Sequence, residues 1–311
     1  MDTPLLRLGT RGSALALAQA RLVRDALAAA WPDLAAPGAI ETVVIRTTGD
    51  RVQDRPLSAI GGKGLFTKEL EEALAAGAID AAVHSVKDLP ADLPAPFALA
   101  AALPRETPFD ALIARVPVAG LATLPRGARI GTSALRRQAQ LLAQRDDLQI
   151  AMLRGNVDTR LAKVEGGAFD ATLLAAAGLN RLGLADRISC LLTADEMLPA
   201  VGQGAVGCET RATDRRVLAY MEAIDHAPTH RAIRAERAML HQLEGNCRTP
   251  IAGLAQPHGD LLTLTGFVAT PDGRRGWRMS LSAAPGDAAA LGREVGQGIL
   301  RMAGDDFPRL A

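Results

Sequence analysis

Apolar runs closed by glycine or proline alternate with helical spacings through the first two thirds of the chain, the pattern of α/β units built on mostly parallel sheets. Residues 5–9 read as a buried strand, and Ser13 stands where it can cap a helix over 14–31 that stops at Pro32. Strands are predicted at 41–47, 79–85 and 98–103, with a helix at 67–76. A second series follows: strand 128–132, helix 133–145, strand 148–154, helix 157–165 and strand 171–177. The short, proline-bounded segment 104–108 between the two series reads as a crossing between domains. After residue 225 the pattern changes to a basic amphipathic helix at 230–243, two strands at 261–270 and 274–283 on a Pro-Asp-Gly turn, and a last helix at 288–302, a small α+β domain.

Charge and composition narrow the function. The 311 residues carry a net charge of +1, which argues against a protein that coats nucleic acid or an anionic membrane. Only four of the 35 basic residues are lysines, which reads either as coding bias or as recruitment of arginine forks for binding carboxylates. No apolar stretch has the length of a signal peptide or a membrane span, so the chain is expected to be cytoplasmic. Three cysteines without a CxxC pair fit a reducing compartment and leave no disulfide framework or cysteine-rich metal site.

Two glycine-rich motifs fail on context. Gly202–Gly207 spells G-x-G-x-x-G, yet it follows Leu198-Pro199 and continues into an extended pattern, so it reads as a strand and not as a nucleotide turn. Gly61-Gly62-Lys63-Gly64 lacks the spacing of a phosphate loop. Arginines, in contrast, gather where strands end and helices begin: Arg11, Arg136 and Arg137, Arg154, then Arg160 and Arg181 after later turns. Ligands of open α/β sheets bind at such ends, and hydroxyls (Ser13, Thr132, Ser133) occur beside these arginines. The pattern predicts a ligand with several carboxylates or phosphates; its bland counterpart is a set of structural salt bridges. Ser85, Lys87 and Asp88 close a strand just before Pro90, a place for a carboxylate that does chemistry or equally for a solvated loop pair. Cys247 lies in a Gly/Asn loop beside Arg248, which favours its thiolate, whereas Cys190 and Cys208 read as small buried hydrophobes.

Together these stretches resemble the porphobilinogen deaminase (hydroxymethylbilane synthase) family. The matching segments are RLGTRGSALAL from Arg7, GGKGLF from Gly61, AVHSVKDLP from Ala82, GTSALRRQ from Gly131, LRGNVDTRL from Leu153, AGLNRLGL from Ala177, LPAVGQGAVG from Leu198 and AERAMLHQLEGNCRTP from Ala235, in family order. The resemblance implies a transferase that joins four porphobilinogen units head to tail with loss of ammonia. It also implies a dipyrromethane cofactor held by a thioether to Cys247, and a catalytic role for Asp88 at the pyrrole nitrogens. It implies cofactor contacts from Ser85, Lys87, Asp88, Thr132, Ser133, Arg136, Arg137 and Arg160, and substrate contacts from Arg11, Ser13, Arg154, Arg160, Arg181 and Gln203. Lys63 and Phe66 would lie on a flexible loop near the site, and no metal is involved. The expected fold has two α/β domains of the type II periplasmic-binding-protein kind around a cleft: residues 1–103 with 200–222, and residues 104–199. A small α+β domain, 223–311, carries Cys247, and the enzyme is expected to act as a monomer.

Ala134 departs from the family's second serine in GTSSLRR, and Thr48 before Gly49-Asp50 matches only some members. A non-catalytic binder of anions would share the fold without needing Asp88 or Cys247, and an inactive paralogue is disfavoured by intact HSVKD and LEGNC.

Overall fold

The computed structural model describes residues 4–51, 64–245 and 249–308. These form two compact units, the first made of segments up to residue 106 and of 205–230, the second of 107–204 and the residues from 231 onward. The first unit opens with β1 (Leu6–Arg11), α1 (Ala14–Ala30), β2 (Ile40–Ile45), α2 (Thr48–Arg51), α3 (Lys68–Ala75), β3 (Ala81–Ser85) and β4 (Phe97–Ala102). The second contains β5 (Asp110–Ala114), β6 (Arg129–Gly131), α4 (Leu135–Gln144), β7 (Gln149–Ala151), α5 (Val157–Glu165), β8 (Ala171–Ala175), α6 (Ala176–Arg181) and β9 (Cys190–Leu191). The chain returns to the first unit for β10 (Val206–Arg211) and α7 (Arg215–Glu222), and α8 (Ala227–Gln242) leads out again. It ends with β11 (Ile251–His258), β12 (Leu261–Ala269), β13 (Gly276–Ala283) and α9 (Ala288–Ala303).

The two large sheets repeat one plan. The first has the order β2-β1-β3-β10-β4 and the second β7-β6-β8-β5-β9. In each, three parallel strands are followed by one inserted antiparallel strand, β10 or β5, and by a last strand paired to it. This is the paired α/β architecture expected for a fold of the type II periplasmic-binding-protein kind. The antiparallel three-stranded sheet β11-β12-β13 packs with α8 and α9 as a small α+β portion.

Burial follows the apolar periodicity. Val23 and Leu27 of α1 meet Leu6 and Leu8 of β1, while Leu70 and Leu74, one turn apart on α3, form a second cluster with Ile79 and Ala82. Each of these fully buried leucines contributes about 1.5–3 kcal/mol relative to exposure. Ser13 caps α1 by accepting the amide of Ala16 at 3.3 Å, so the predicted start of that helix is met.

Several expectations change. The motif at 202–207 is not a strand: residues 201–204 form a turn with Gly202 and Gly204 at φ of 71° and 86°, and β10 begins only at Val206. The predicted strand 148–154 is confined to Gln149–Ala151, and the one at 171–177 gives way at Ala176 to α6. The C-terminal sheet has a third strand, β11, that the pattern of two strands did not include. β5, β9 and α7 were not anticipated either, because short strands and an eight-residue helix leave too few periods to register.

Candidate active site

In the first unit, chemistry collects at the carboxyl ends of β1 and β3. After Ser85 a 3-10 turn over Val86–Asp88 buries Val86 and leaves Lys87 and Asp88 half-buried, and the amide of Leu89 closes it on the carbonyl of Val86 at 3.1 Å. Ser85 does not stand alone. Its hydroxyl receives the Nε2 of Gln19, a buried residue of α1, at 2.8 Å. Just before it, His84 Nε2 meets Glu209 Oε2 of β10 at 2.9 Å, both wholly inside, which pins β3 to β10 directly behind the turn.

Arg11 ends β1 and is the hub of this corner. Its Nε lies 3.2 Å from both carboxylate oxygens of Asp50 and its Nη2 donates to Asp50 Oδ1, while Nη1 stands 3.8 Å from Asp88 Oδ2. The guanidinium rests 4.2 Å from the ring centroid of Phe66, a cation–π contact. Burial alone would raise the Asp50 carboxyl, but the Arg11 hydrogen bond and charge, helped by the Thr47 hydroxyl at 2.8 Å, hold it below the usual carboxylate range. Gly49 is required beneath Phe66, because a Cβ there would meet the ring at 2.2 Å.

In the second unit Arg136 and Arg137, in the first turn of α4, both turn inward onto Asp110. Arg136 reaches Asp110 at 2.7 Å and 3.2 Å, and Arg137 reaches it at 2.7 Å. Burial raises the Asp110 carboxyl, yet the two guanidiniums outweigh that and hold it well below the ordinary range. Gln203 is buried in the same cluster, its Nε2 donating to Pro108 O and Asp110 and its Oε1 accepting from Arg136 at 3.0 Å. Two guanidiniums on one carboxylate leave one net positive charge, and Arg137 Nε is buried with no hydrogen-bond partner among the described residues. Thr132 is buried, its hydroxyl accepting the amide of Ala134, and Ser133 is half-buried. Ala134 supplies no side-chain cap to α4. Arg154 is half-buried, Arg160 Nε donates to Gly155 O at 2.9 Å and Arg181 Nη2 to Gly204 O at 2.6 Å.

The structure therefore joins Arg11, Phe66 and Asp88 in one corner and Arg136, Arg137 and Gln203 in one cluster, and gives Ser13 the job of capping α1. Lys63 and Cys247 lie outside the described residues. Sequence reasoning missed Gln19, Asp50, Asp110, His84 and Glu209. His84 and Asp50 stood inside quoted motifs without a role; Gln19, Asp110 and Glu209 are partners brought in from other segments.

Asp110 gives a measurable consequence. Asp110→Ala leaves two buried arginines without their counter-ion, and chemical denaturation is expected to read a loss of about 3–5 kcal/mol. Because its carboxyl is depressed when folded, the contribution of Asp110 is fully present above its unfolded pKa of about 3.9 and is lost only as the pH falls through the folded value. The destabilisation by Asp110→Ala is therefore expected to be constant from about pH 5 upward; a loss that grows between pH 6 and 8 would contradict this assignment.

Comparison with known proteins gives two family matches. The model described as porphobilinogen deaminase, dipyromethane cofactor binding domain, matches residues 6–219, and the one described as porphobilinogen deaminase, C-terminal domain, matches 230–301. The chain is 52% identical over 303 residues to the porphobilinogen deaminase of Nitrobacter hamburgensis, covering 97% of this chain and 95% of that one. It is 47% identical over 300 residues to that of Syntrophobacter fumaroxidans, covering 96% of each. With that of Geobacter metallireducens it shares 48% over 295 residues, 95% of this chain and 91% of the other.

Proposed function

Since the chain belongs to the porphobilinogen deaminase family, we propose that Asp88 acts on the reacting pyrrole, that Cys247 carries the cofactor, and that the arginines of the second unit answer the carboxylates. The enzyme is a transferase that joins four porphobilinogen molecules head to tail with loss of ammonia and releases hydroxymethylbilane, a step of tetrapyrrole synthesis. When bound, its dipyrromethane cofactor supplies the terminal pyrrole carbon onto which the first unit is joined.

The observation that carries the assignment of residues is the delivery of Asp88, partly exposed, on a short turn at the carboxyl end of β3 beside Arg11. Loss of ammonia from porphobilinogen leaves a methylene-pyrrolenine cation. A carboxylate fixed at the pyrrole N–H stabilises charge where it develops and does not have to reorganise. Asp88 accepts that N–H in the substrate and in the cation alike. Lys87 and Ser85, the latter held by Gln19, flank it as donors to carboxylates.

The residues present fit an acidic cofactor. Arg136 and Arg137 keep one net positive charge after Asp110 is counted, and the buried Arg137 Nε has no acceptor among the described residues, a need that a carboxylate oxygen would meet. Thr132, Ser133 and Arg160 complete the proposed cofactor contacts. Arg11, Ser13, Arg154, Arg160, Arg181 and Gln203 are the proposed substrate contacts, with Gln203 acting through its hold on Arg136 and Ser13 through the first turn of α1. Lys63 and Phe66 belong to the proposed loop near the site.

We further propose the division into domains 1–103 with 200–222, 104–199 and 223–311, supported by three separate sheets and by family matches that part between 219 and 230. A monomer working in the cytoplasm completes the reading. Among the described residues no helix is long and apolar enough to cross a membrane.

The test is Arg137→Leu, which leaves Asp110 paired with Arg136. Intact mass is expected to show cofactor occupancy lowered by about tenfold or more, with cooperative unfolding retained. Full occupancy with ordinary turnover would remove Arg137 from the cofactor's contacts.

A further inference from the structure

We infer that Asp50 is a positioning residue that keeps the fork of Arg11 off Asp88, so that the Asp88 carboxylate stays available to the pyrrole. The inference rests on the assignment of Asp88 as the catalytic carboxylate. Arg11 has two ways to bind a carboxylate, and bidentate closure is the stronger. In the structure its Nε and Nη2 edge is already closed on Asp50, and only Nη1 is left toward Asp88, at 3.8 Å, too long for a hydrogen bond.

The described neighbours of Asp50 keep it in that place. The Thr47 hydroxyl donates to Asp50 Oδ2 at 2.8 Å and the Thr47 amide approaches the same oxygen at 3.4 Å. The amide of Gly49 donates to Leu65 O at 2.8 Å, which brings Phe66 under the guanidinium, and the lack of a side chain at Gly49 makes room for the ring. The guanidinium is thus fixed along one edge by Asp50 and on one face by Phe66. The side chains of Asp50 and Asp88 are 27% and 30% exposed and both lie within 4 Å of the Arg11 guanidinium, so the fork has a choice between them.

Without the Asp50 carboxylate the choice disappears. Arg11 then closes on Asp88 as a two-point ion pair, and both oxygens that should receive the pyrrole N–H and face the developing cation are taken up. The step slowed is the loss of ammonia; substrate binding through the other arginines is untouched. Asp50 never contacts the substrate in this scheme and works through Arg11 alone. Lys87 is the other charged group on the Asp88 turn, and it is present in wild type and variants alike.

Asp50→Asn keeps the size and an acceptor oxygen while removing the charge. Its kcat is expected to fall on the order of tenfold to a hundredfold, with KM changed less than about threefold. The decisive variant is the double one. Asp50→Asn combined with Arg11→Ala removes the fork that would close on Asp88, so its kcat is expected to rise above that of Asp50→Asn alone, although its KM rises. A purely structural role for Asp50 predicts lower yield or Tm with kcat per cofactor-bearing molecule unchanged, and that result would overturn the inference. So would a double variant whose kcat falls by the product of the two single losses. Wild-type protein measured alongside separates the two levels: if it fails to consume porphobilinogen, the reading of the site fails, whereas normal wild-type turnover with additive variants sinks only the role of Asp50.

Discussion

Asp88→Ala is expected to fold, to retain its covalent cofactor in part, and to lose turnover by about 10²–10³-fold. The side chain sits half-buried on a 3-10 turn whose only deeply buried member is Val86, so truncation leaves no cavity in the core and removes a 3.8 Å contact to Arg11 that contributes little. What goes, under the proposed role of Asp88, is the fixed negative charge at the place where ammonia leaves. Asp88→Asn keeps an acceptor oxygen and is expected to be nearly as slow, because the developing cation needs the charge. Asp88→Glu keeps the charge and displaces it by about one methylene, enough to cost on the order of a hundredfold when position governs the rate. The ranking Asp above Glu above Asn and Ala, read in single-turnover release of ammonia, checks the assignment; an Asn variant as fast as wild type would remove electrostatic stabilisation by Asp88 from the account.

Cys247→Ser is expected to abolish turnover altogether, since a serine hydroxyl forms no thioether and offers no thiolate near neutrality. The other two cysteines do not substitute. Burial pushes the Cys208 thiol up to about 12, and the half-buried Cys190 is also raised, by burial first and by Glu196 second. Neither is a thiolate at working pH, which leaves Cys247 as the single attachment point in the proposed reading. Cys247→Ser should therefore be unmodified by mass and keep its cooperative unfolding, and neither added porphobilinogen nor prolonged incubation should restore activity. A Ser variant that still carries the cofactor would move the attachment elsewhere.

How far the sequence foretold this can be judged residue by residue. Strand β1, the Ser13 cap and the helix behind it were legible because cap, apolar period and terminating proline all lie within one short window. The turn carrying Asp88 was legible for the same reason: strand, polar tip and proline are contiguous. Asp110 was not, since it begins a five-residue strand that pairs antiparallel with β8, and its two arginines follow 26 and 27 positions later. Asp50 lies 39 positions from Arg11 and carried no role in the sequence, where only Thr48 two residues before it drew notice. Partners of this kind are fixed by strand order, which local periodicity does not encode. The turn at 201–204 was read as extended because the residues that continue the motif do enter a strand, β10 from Val206, while Gly202 and Gly204 supply positive φ that a strand cannot use. The arginine clustering pointed rightly to strand ends, but it did not distinguish Arg136 and Arg137, buried on Asp110, from Arg154, which is only half-buried.

The most direct test of the central claim is the intact mass of the protein as it is purified, measured beside Cys247→Ser. The account predicts a wild-type chain heavier than its sequence by two porphobilinogen units less two molecules of ammonia, and a Cys247→Ser chain at the sequence mass. A wild-type chain at the bare sequence mass that nonetheless turns over porphobilinogen at full rate would contradict it.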